Sequence, residues 1–388
     1  MRGLASSLLA GIGPEPAKGA LVRIVHVVQT LVAGGAETMI RTLCPGLAAA
    51  GIDVEIVSVY PSGLDAAQRA QLGVPVVDLG RRGRGDLRYF PTLVRALRDR
   101  RPDVVHAHLH TGQYAGRAAA VLAGVPAIVL TAHGDEPGGP VRALADRVLH
   151  ARTARFIVFT AAQQRRFATE QHVPLERVVV IPNGVVAPPA SASRAAVRAQ
   201  LAVPAGAFAV YCVGRLAPEK NQGAVLAALA LVRDAGANDA HLVVAGDGPL
   251  AATLRAQASA LGLDDRVHFL GRRDDAPQLA AAMDVYVQSS LRERMPLALG
   301  EAMLAGLPPV VTPWEGATDF VRDGETGFVA AGFGPEALAQ ALLRAYRDRD
   351  ALARIALAAS ATARTTFDPA AMVRAHVALY ESLLRTPR

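Results

Sequence analysis

Residues 289–312 read SSLRERMPLALGEAMLAGLPPVVT. The apolar run Val285-Tyr286-Val287 just before them predicts a strand that enters a polar turn. Pro296 suits the first turn of a helix, where a missing N–H removes no hydrogen bond. Leu297 to Leu304 consists mostly of strong helix formers. Gly306 fits the left-handed position that closes a helix, and Pro308 forbids continuation. Strand, loop, helix and strand in this order are the unit of an α/β fold with parallel strands. The reading puts Glu293 in the loop and Glu301 in the first turns of the helix. The unpaired N–H groups of that helix start favour an anion or a cluster of hydroxyls. Glu301 is placed to accept hydrogen bonds from a ribose diol. An ordinary crossover with an exposed glutamate fits the same segment equally well.

The chain has 388 residues, more than one hydrophobic core comfortably serves, so two domains are expected. Its apolar share of 51% suits buried parallel strands. No apolar run reaches the ~20 residues of a membrane-spanning helix. Residues 1–20 read as a disordered leader, since their Leu/Ala run is short and Pro14-Glu15-Pro16 follows. Cys44 and Cys212 are widely separated, which suits a reducing cytoplasm better than a disulfide framework. Lys occurs only at Lys18 and Lys220, so a lysine inside this Arg-rich chain invites a specific reason. Residues 1–188 carry 21 Lys and Arg against 14 Asp and Glu, whereas residues 189–388 carry 20 of each. The basicity therefore belongs to the first half.

Val22–Gln29 reads as a parallel-type strand, followed by Gly34-Gly35 and a helical pattern over Thr38–Ala50. A glycine pair there allows backbone to approach a phosphate or sugar, but two glycines alone fit a tight βα turn better. Strands are expected at Val54–Val59, Asp103–His108, Ala127–Thr131, Phe156–Thr160 and Val178–Ile181. His106, His108 and His110 alternate, which predicts one shared face. Three imidazoles suit zinc, but no acidic or cysteine residue nearby offers a fourth ligand, so strand-end packing or acceptor contact is the stronger reading. His133 follows Ala127–Thr131 at its carboxyl end, where open α/β sheets bind ligands. Pro182-Asn183-Gly184 is a turn, and Ala187-Pro188-Pro189-Ala190 is a stiff linker that marks the domain boundary. This gives a first domain over 21–187 and a second over 188–369. The second domain opens with the strand Phe208–Val213, which runs into Gly214-Arg215 and Glu219-Lys220. A guanidinium and an ammonium converging at a strand end would neutralise a diphosphate. His241–Ala245 ends in Gly246-Asp247-Gly248, a weak dinucleotide fingerprint without its third glycine. Val267–Leu270 leads to Arg272. Two amphipathic helices close the chain, Pro335–Arg347 and Ala370–Leu384, and the last is expected to return to the first domain over 370–388.

Several of these motifs recur in a known order. Gly34-Gly35-Ala36-Glu37, the DVVHAH strand, Thr131-Ala132-His133-Gly134, Ile181-Pro182-Asn183-Gly184, Gly214-Arg215-Leu216 with Glu219-Lys220, Gly246-Asp247-Gly248 and the Glu293/Glu301 pair together resemble the family 4 retaining nucleotide-sugar glycosyltransferases. The resemblance covers roughly residues 21–385. It implies an α/β GT-B fold of two facing Rossmann-like domains, the second holding the nucleotide sugar and the first facing the acceptor. It further implies that Arg215 and Lys220 take the diphosphate, Glu301 the ribose and Glu293 the donor sugar, with His133 near the reacting carbon. The implied catalytic set is His133, Glu293, Arg215 and Lys220. Gly34, Gly35, Gly246, Arg272, Arg294, Met295, Pro296 and Leu297 complete the implied donor site, and His106, His108 and Asn183 lie on the acceptor side. No metal and no bound cofactor are implied. The UDP- or GDP-sugar is a co-substrate, the acceptor is a glycan or lipid-linked molecule, and no nucleic acid is expected as partner. Breaking a sugar–phosphate bond builds negative charge on the leaving diphosphate, which fixed cations stabilise without a metal.

Two positions depart from the family pattern. Arg294 stands where the family usually has glycine, and Asp319 where it usually has glutamate. Arg294 fits contact with a negatively charged sugar, projection into solvent, or loss of activity. Two other classes therefore stay open: a non-catalytic sugar-nucleotide binding protein, and a phosphorylase with pyridoxal phosphate on Lys220. The eight arginines of Arg81–Arg101 predict a peripheral contact with an anionic membrane on the cytoplasmic side, or a merely solvated basic helix.

Overall fold

The structure is a computed structural model that describes residues 22–32, 34–83, 85–134, 140–188 and 193–385. The leader expected at 1–20 lies outside the described residues, as do Arg84 and the linker residues Pro189 and Ala190. By internal contacts the chain forms two compact units, Met1–Gly184 with Asp368–Arg388, and Val185–Phe367.

Among the described residues, the first unit holds a seven-stranded, fully parallel sheet in the order β3-β2-β1-β4-β5-β6-β7. Its strands are β1 (Arg23–Val28), β2 (Asp53–Ser58), β3 (Val76–Asp78), β4 (Val104–His108), β5 (Ala127–Thr131), β6 (Arg155–Val158) and β7 (Val178–Val180). Because both faces are covered, β1 reads as a continuous apolar run instead of an alternating one. Ile24 and Val28 pack with Ile40, Leu43, Met372, Val373 and Tyr380. Val25 and Val27 pack with Leu93, Leu97, Ala119 and Ala120 on the opposite face. The helix Pro369–Arg385 thus belongs to the first unit, where it packs beside the helix Gly35–Ala49.

The second unit holds six parallel strands in the order β10-β9-β8-β11-β12-β13. They are β8 (Phe208–Val213), β9 (Ala240–Ala245), β10 (Val267–Gly271), β11 (Val285–Gln288), β12 (Pro309–Val311) and β13 (Phe328–Val329). The helix Leu297–Leu304 ends as its sequence predicts. Gly306 has φ 79°, its N–H donates to Met303 O at 3.0 Å, and Leu307 N–H donates to Ala302 O at 2.9 Å. That pair of bonds is the Schellman closure, which satisfies carbonyls the helix leaves open. Pro296 sits one residue earlier than expected, at the N-cap. Short β3 and β13 and the helix Arg349–Thr366 are among the elements without a counterpart in the sequence reading, as are the helices Ala66–Leu72, Arg117–Ala123, Ala161–Glu170, Arg194–Gln200 and Ala251–Ala260. Among the described residues, no helix is long and apolar enough to cross a membrane.

Candidate functional site

A parallel sheet has an open crevice where its strand order reverses, beyond the carboxyl ends of the two central strands. In the second unit that point lies between β8 and β11, which pair only through Val285↔Val210 and Tyr286↔Tyr211. The loops beyond these strands carry Arg215, Glu219 and Lys220 on one side and Ser289, Ser290 and Glu293 on the other. Lys220 Nζ donates to Glu293 Oε1 at 2.6 Å, and Ser290 Oγ donates to the same oxygen at 2.6 Å. Ser289 Oγ donates to Lys220 O at 2.7 Å, and Leu291 N–H donates to Glu219 O at 2.9 Å. The two loops are therefore laced together through both backbone and side chains.

An ammonium has three donors and a carboxylate two oxygens. With Oε1 occupied twice, two Nζ protons and Glu293 Oε2 have no partner among the described residues, and such a pair can serve a ligand that carries both anionic oxygens and hydroxyls. Arg215 is exposed and pairs with Glu219. Gln222 Nε2 holds the Arg215 carbonyl at 2.8 Å. Glu301 is half-buried, and its carboxylate has no hydrogen-bond or ion-pair partner among the described residues. Burial pushes its pKa up, as expected for a carboxylate without compensation. Met295, Pro296 and Leu297 are buried, and Arg294 is half-buried.

Not every expected donor residue joins this group. Gly246 has a packing reason instead: its φ is 151°, and a Cβ there would strike the Gly214 carbonyl. It lets the loop after β9 press on the loop after β8, where Leu216 N–H donates to Asp247 O at 3.0 Å. Arg272 is exposed beyond β10, the edge strand, with a 3.8 Å ion pair to exposed Asp274. Asp319 is exposed in the short helix Ala317–Phe320, after β12.

The first unit has its own strand-order reversal, between β1 and β4. Gly34 is the N-cap of the helix after β1, and Gly35 is its first residue. His106 and His108 do share a face, as period two requires, and His26 lies beside His106 in register. The expected third member, His110, does not share it. Leu109 turns the chain at φ 56° into a short helix, and His110 packs edge-on against Tyr114 at 5.2 Å. The acceptor-side reading of His106 and His108 also needs correction, since both are fully buried with both ring nitrogens engaged. His106 Nδ1 meets Tyr380 Oη and its Nε2 meets Thr131 Oγ1, each at 2.7 Å. His108 Nε2 meets His26 Nδ1 at 2.9 Å, and its Nδ1 meets His133 Nε2 at 3.1 Å. Asn183 is likewise buried. Ligand atoms of His26, His106 and His108 lie within 4.8 Å of one another. A metal there would cost His106 and His108 a hydrogen bond each, so packing explains the cluster better than ligation does.

Sequence reasoning missed the direct Lys220–Glu293 pair, Ser290, and the meeting of His26 and His376 with the strand histidines. The last had a signal. His376 and Tyr380 are four residues apart, on one face of the amphipathic helix Pro369–Arg385.

Two parallel-sheet Rossmann-like units, with the C-terminal helix returned to the first, define the GT-B class of fold. Residues 33–187 match the model of Glycosyltransferase Family 4, and residues 193–362 match that of Glycosyl transferases group 1. The chain is 31% identical over 276 residues to the Escherichia coli UDP-Gal:alpha-D-GlcNAc-diphosphoundecaprenol alpha-1,3-galactosyltransferase, covering 68% of this chain and 71% of that one. It is 30% identical over 378 residues to the D-inositol 3-phosphate glycosyltransferase of Mycolicibacterium vanbaalenii, covering 85% and 82%. The solved structure of Anabaena Alr3699/HepE in complex with UDP and glucose superposes with a TM-score of 0.79 at 25% identity, covering 93% of this chain and 100% of that one. The chain belongs to the family 4 glycosyltransferases.

Proposed function

We propose that this chain transfers a hexosyl group from a UDP- or GDP-linked sugar to a glycan or lipid-linked acceptor, with retention at the anomeric carbon and without a metal. The Lys220–Glu293–Ser290 group at the open ends of β8 and β11 carries the reading. Lys220 and Arg215 would neutralise the diphosphate, Glu293 Oε2 would accept from sugar hydroxyls, and Glu301 would accept from the ribose diol. His133 would contact the sugar near the reacting carbon. The bond from the anomeric carbon to phosphate oxygen breaks, and its electron pair leaves with the diphosphate. The acceptor oxygen bonds to the anomeric carbon from the same face, and its proton passes to the departing phosphate oxygen. Cations fixed before the reaction stabilise that departing charge at no cost in reorganisation. The UDP in the Anabaena structure and the UDP-Gal in the E. coli relative's name favour a uridine base.

Lipid-linked acceptors would bring the enzyme to the cytoplasmic face of a membrane. The helix Tyr89–Arg100 buries Leu93, Val94, Ala96 and Leu97 and exposes Arg95 and Arg98, with Arg101 exposed just past its end. Other arginines of the cluster serve the fold. Arg100 forks onto Glu55 at 2.7 and 2.9 Å, Arg88 pairs with Asp86, and Arg81 stacks on Tyr60 and Tyr89. Arg95, Arg98 and Arg101 would be the contact, although Arg98 also donates to Leu122 O at 2.9 Å. A binding protein without turnover is the second reading, favoured by Arg294 beside Glu293. A thermal-shift panel of UDP, GDP and ADP with their sugars tests the proposal, because a ligand of the native state raises Tm by mass action. UDP or GDP should shift Tm, and the matching sugar should be consumed with an acceptor present. A flat panel contradicts the donor site, and binding without consumption selects the second reading.

A further inference from the structure

The buried histidines of the first unit form a hydrogen-bonded series, His26 Nδ1···Nε2 His108 Nδ1···Nε2 His133, with links of 2.9 and 3.1 Å. His26 and His108 are fully buried, and His133 is the partly exposed end. Burial drives all three towards the neutral form, His26 and His133 down to about 3. A neutral imidazole carries one ring proton, and each link needs one proton. Only two arrangements satisfy both links. In one, every ring is protonated on Nδ1, so His133 presents Nδ1–H outward and His26 Nε2 is a bare acceptor. In the other, every ring is protonated on Nε2, so His133 presents a bare Nδ1 and His26 buries an N–H.

The far end of the series decides between them. His26 Nε2 is buried and has no hydrogen-bond partner among the described residues. An orphaned buried N–H is rarer than a buried acceptor left short of a partner. The first arrangement therefore wins, and the choice at His26 reaches His133 through His108. The neighbouring ring cannot reverse it, because both nitrogens of His106 are committed to Tyr380 and Thr131.

We propose that His26 and His108 are positioning residues that hold His133 as the neutral Nδ1–H tautomer, so that it meets its ligand as a hydrogen-bond donor and not as a general base. The ligand atom it suits is a hydroxyl or other acceptor oxygen of the sugar, and this part rests on the donor-site reading above. His108→Asn keeps an N–H near the position of Nδ1 and should preserve the tautomer. His108→Leu removes the donor and should release it.

Histidine-selective 15N labelling with long-range 1H–15N spectra reads the tautomer directly, and His133 is assigned by its disappearance in His133→Gln. The expected wild-type spectrum at neutral pH has a protonated Nδ1 and a bare Nε2 on His133. His108→Leu should move the proton towards Nε2 and lower turnover roughly tenfold, the worth of one hydrogen bond, with little change in donor KM. His108→Asn should restore both. A wild-type His133 protonated on Nε2 overturns the proposal, and needs no variant to fold. So does a folded His108→Leu whose tautomer and turnover match wild type. The two readings fail separately: wild-type transfer by His133→Gln would remove the sugar contact and leave the tautomer result intact.

Discussion

Each unit reverses its strand order once, between β1 and β4 in the first and between β8 and β11 in the second, yet the two crevices are chemically opposite. In the first, His26, His106 and His108 fill the region with buried neutral rings that bond to one another, to Thr131 and to Tyr380. In the second, charged groups meet near the surface, with Lys220 on Glu293 and Arg215 on Glu219. The same topology builds a buried hydrogen-bonded seam in one unit and a polar, partly exposed site in the other. Topology supplies the place, and side chains decide what the place can do.

Acid should separate the two units most strongly. His26 and His133 are lowered to about 3 and His376 to about 4, with His106 and His108 also lowered, all chiefly by burial. A histidine lowered in the folded state binds fewer protons than in the unfolded state. Its stabilisation is complete above the ordinary histidine range near pH ~6.5 and is lost as pH falls towards the folded value. Each such ring costs about 1.4 kcal/mol per pH unit in that window. Among the described residues, the second unit's histidines are two, buried His241 and half-buried His268, both with lowered values. Hydrogen exchange followed by mass spectrometry from pH 7 towards ~4.5 should show the first unit losing protection before the second. Equal loss in both would mean that the histidine seam is not the acid-sensitive element.

Lys220→Ala is next in size. It removes a cation from the proposed site and leaves Glu293 with Ser290 as its remaining partner, so turnover should fall on the order of 10²–10³-fold with the fold intact. Initial rates beside a melting curve check this, and unchanged rates would take Lys220 out of the reaction. Glu293→Gln should lower transfer while UDP affinity stays close to wild type, since Glu293 is assigned to the sugar.

Smaller still is the surface effect. Replacing Arg95, Arg98 and Arg101 by Gln should abolish low-salt sedimentation with phosphatidylglycerol vesicles, at about 1 kcal/mol per arginine. Neutral vesicles should bind neither form. A triple variant that sediments like wild type would move the contact elsewhere. The smallest effect is expected at Gly306, where φ is 79°. Gly306→Ala should cost about 1–2 kcal/mol in chemical denaturation and leave turnover unchanged.

Much of the fold is legible in the sequence because local signals agree with each other. Leu297–Leu304 has strong formers within and a glycine and proline beyond, and β5 and β8 are apolar runs bounded by polar turns. The helix Arg349–Thr366 is less legible, since its many alanines and only three fully buried residues give a faint period. β3 and β13 are three and two residues long, too short for alternation to register. Within the candidate site, Arg215, Lys220 and Glu293 can be named one by one from the sequence, but Ser290 and the pairing cannot. Lys220 and Glu293 are 73 residues apart, and only the adjacency of β8 and β11 brings them together. The histidine seam fails for the same reason, because His376 reaches it from a helix that follows the whole second unit.

The charged crevice of the second unit is where a nucleoside diphosphate is proposed to bind. Titration calorimetry of UDP and of GDP into wild type, Lys220→Ala and Glu301→Gln measures this without any acceptor. One nucleotide should bind wild type, and each variant should weaken it roughly tenfold or more, the loss of a charge-assisted hydrogen bond. Equal affinity in all three proteins would contradict the assignment of Lys220 to the diphosphate and Glu301 to the ribose.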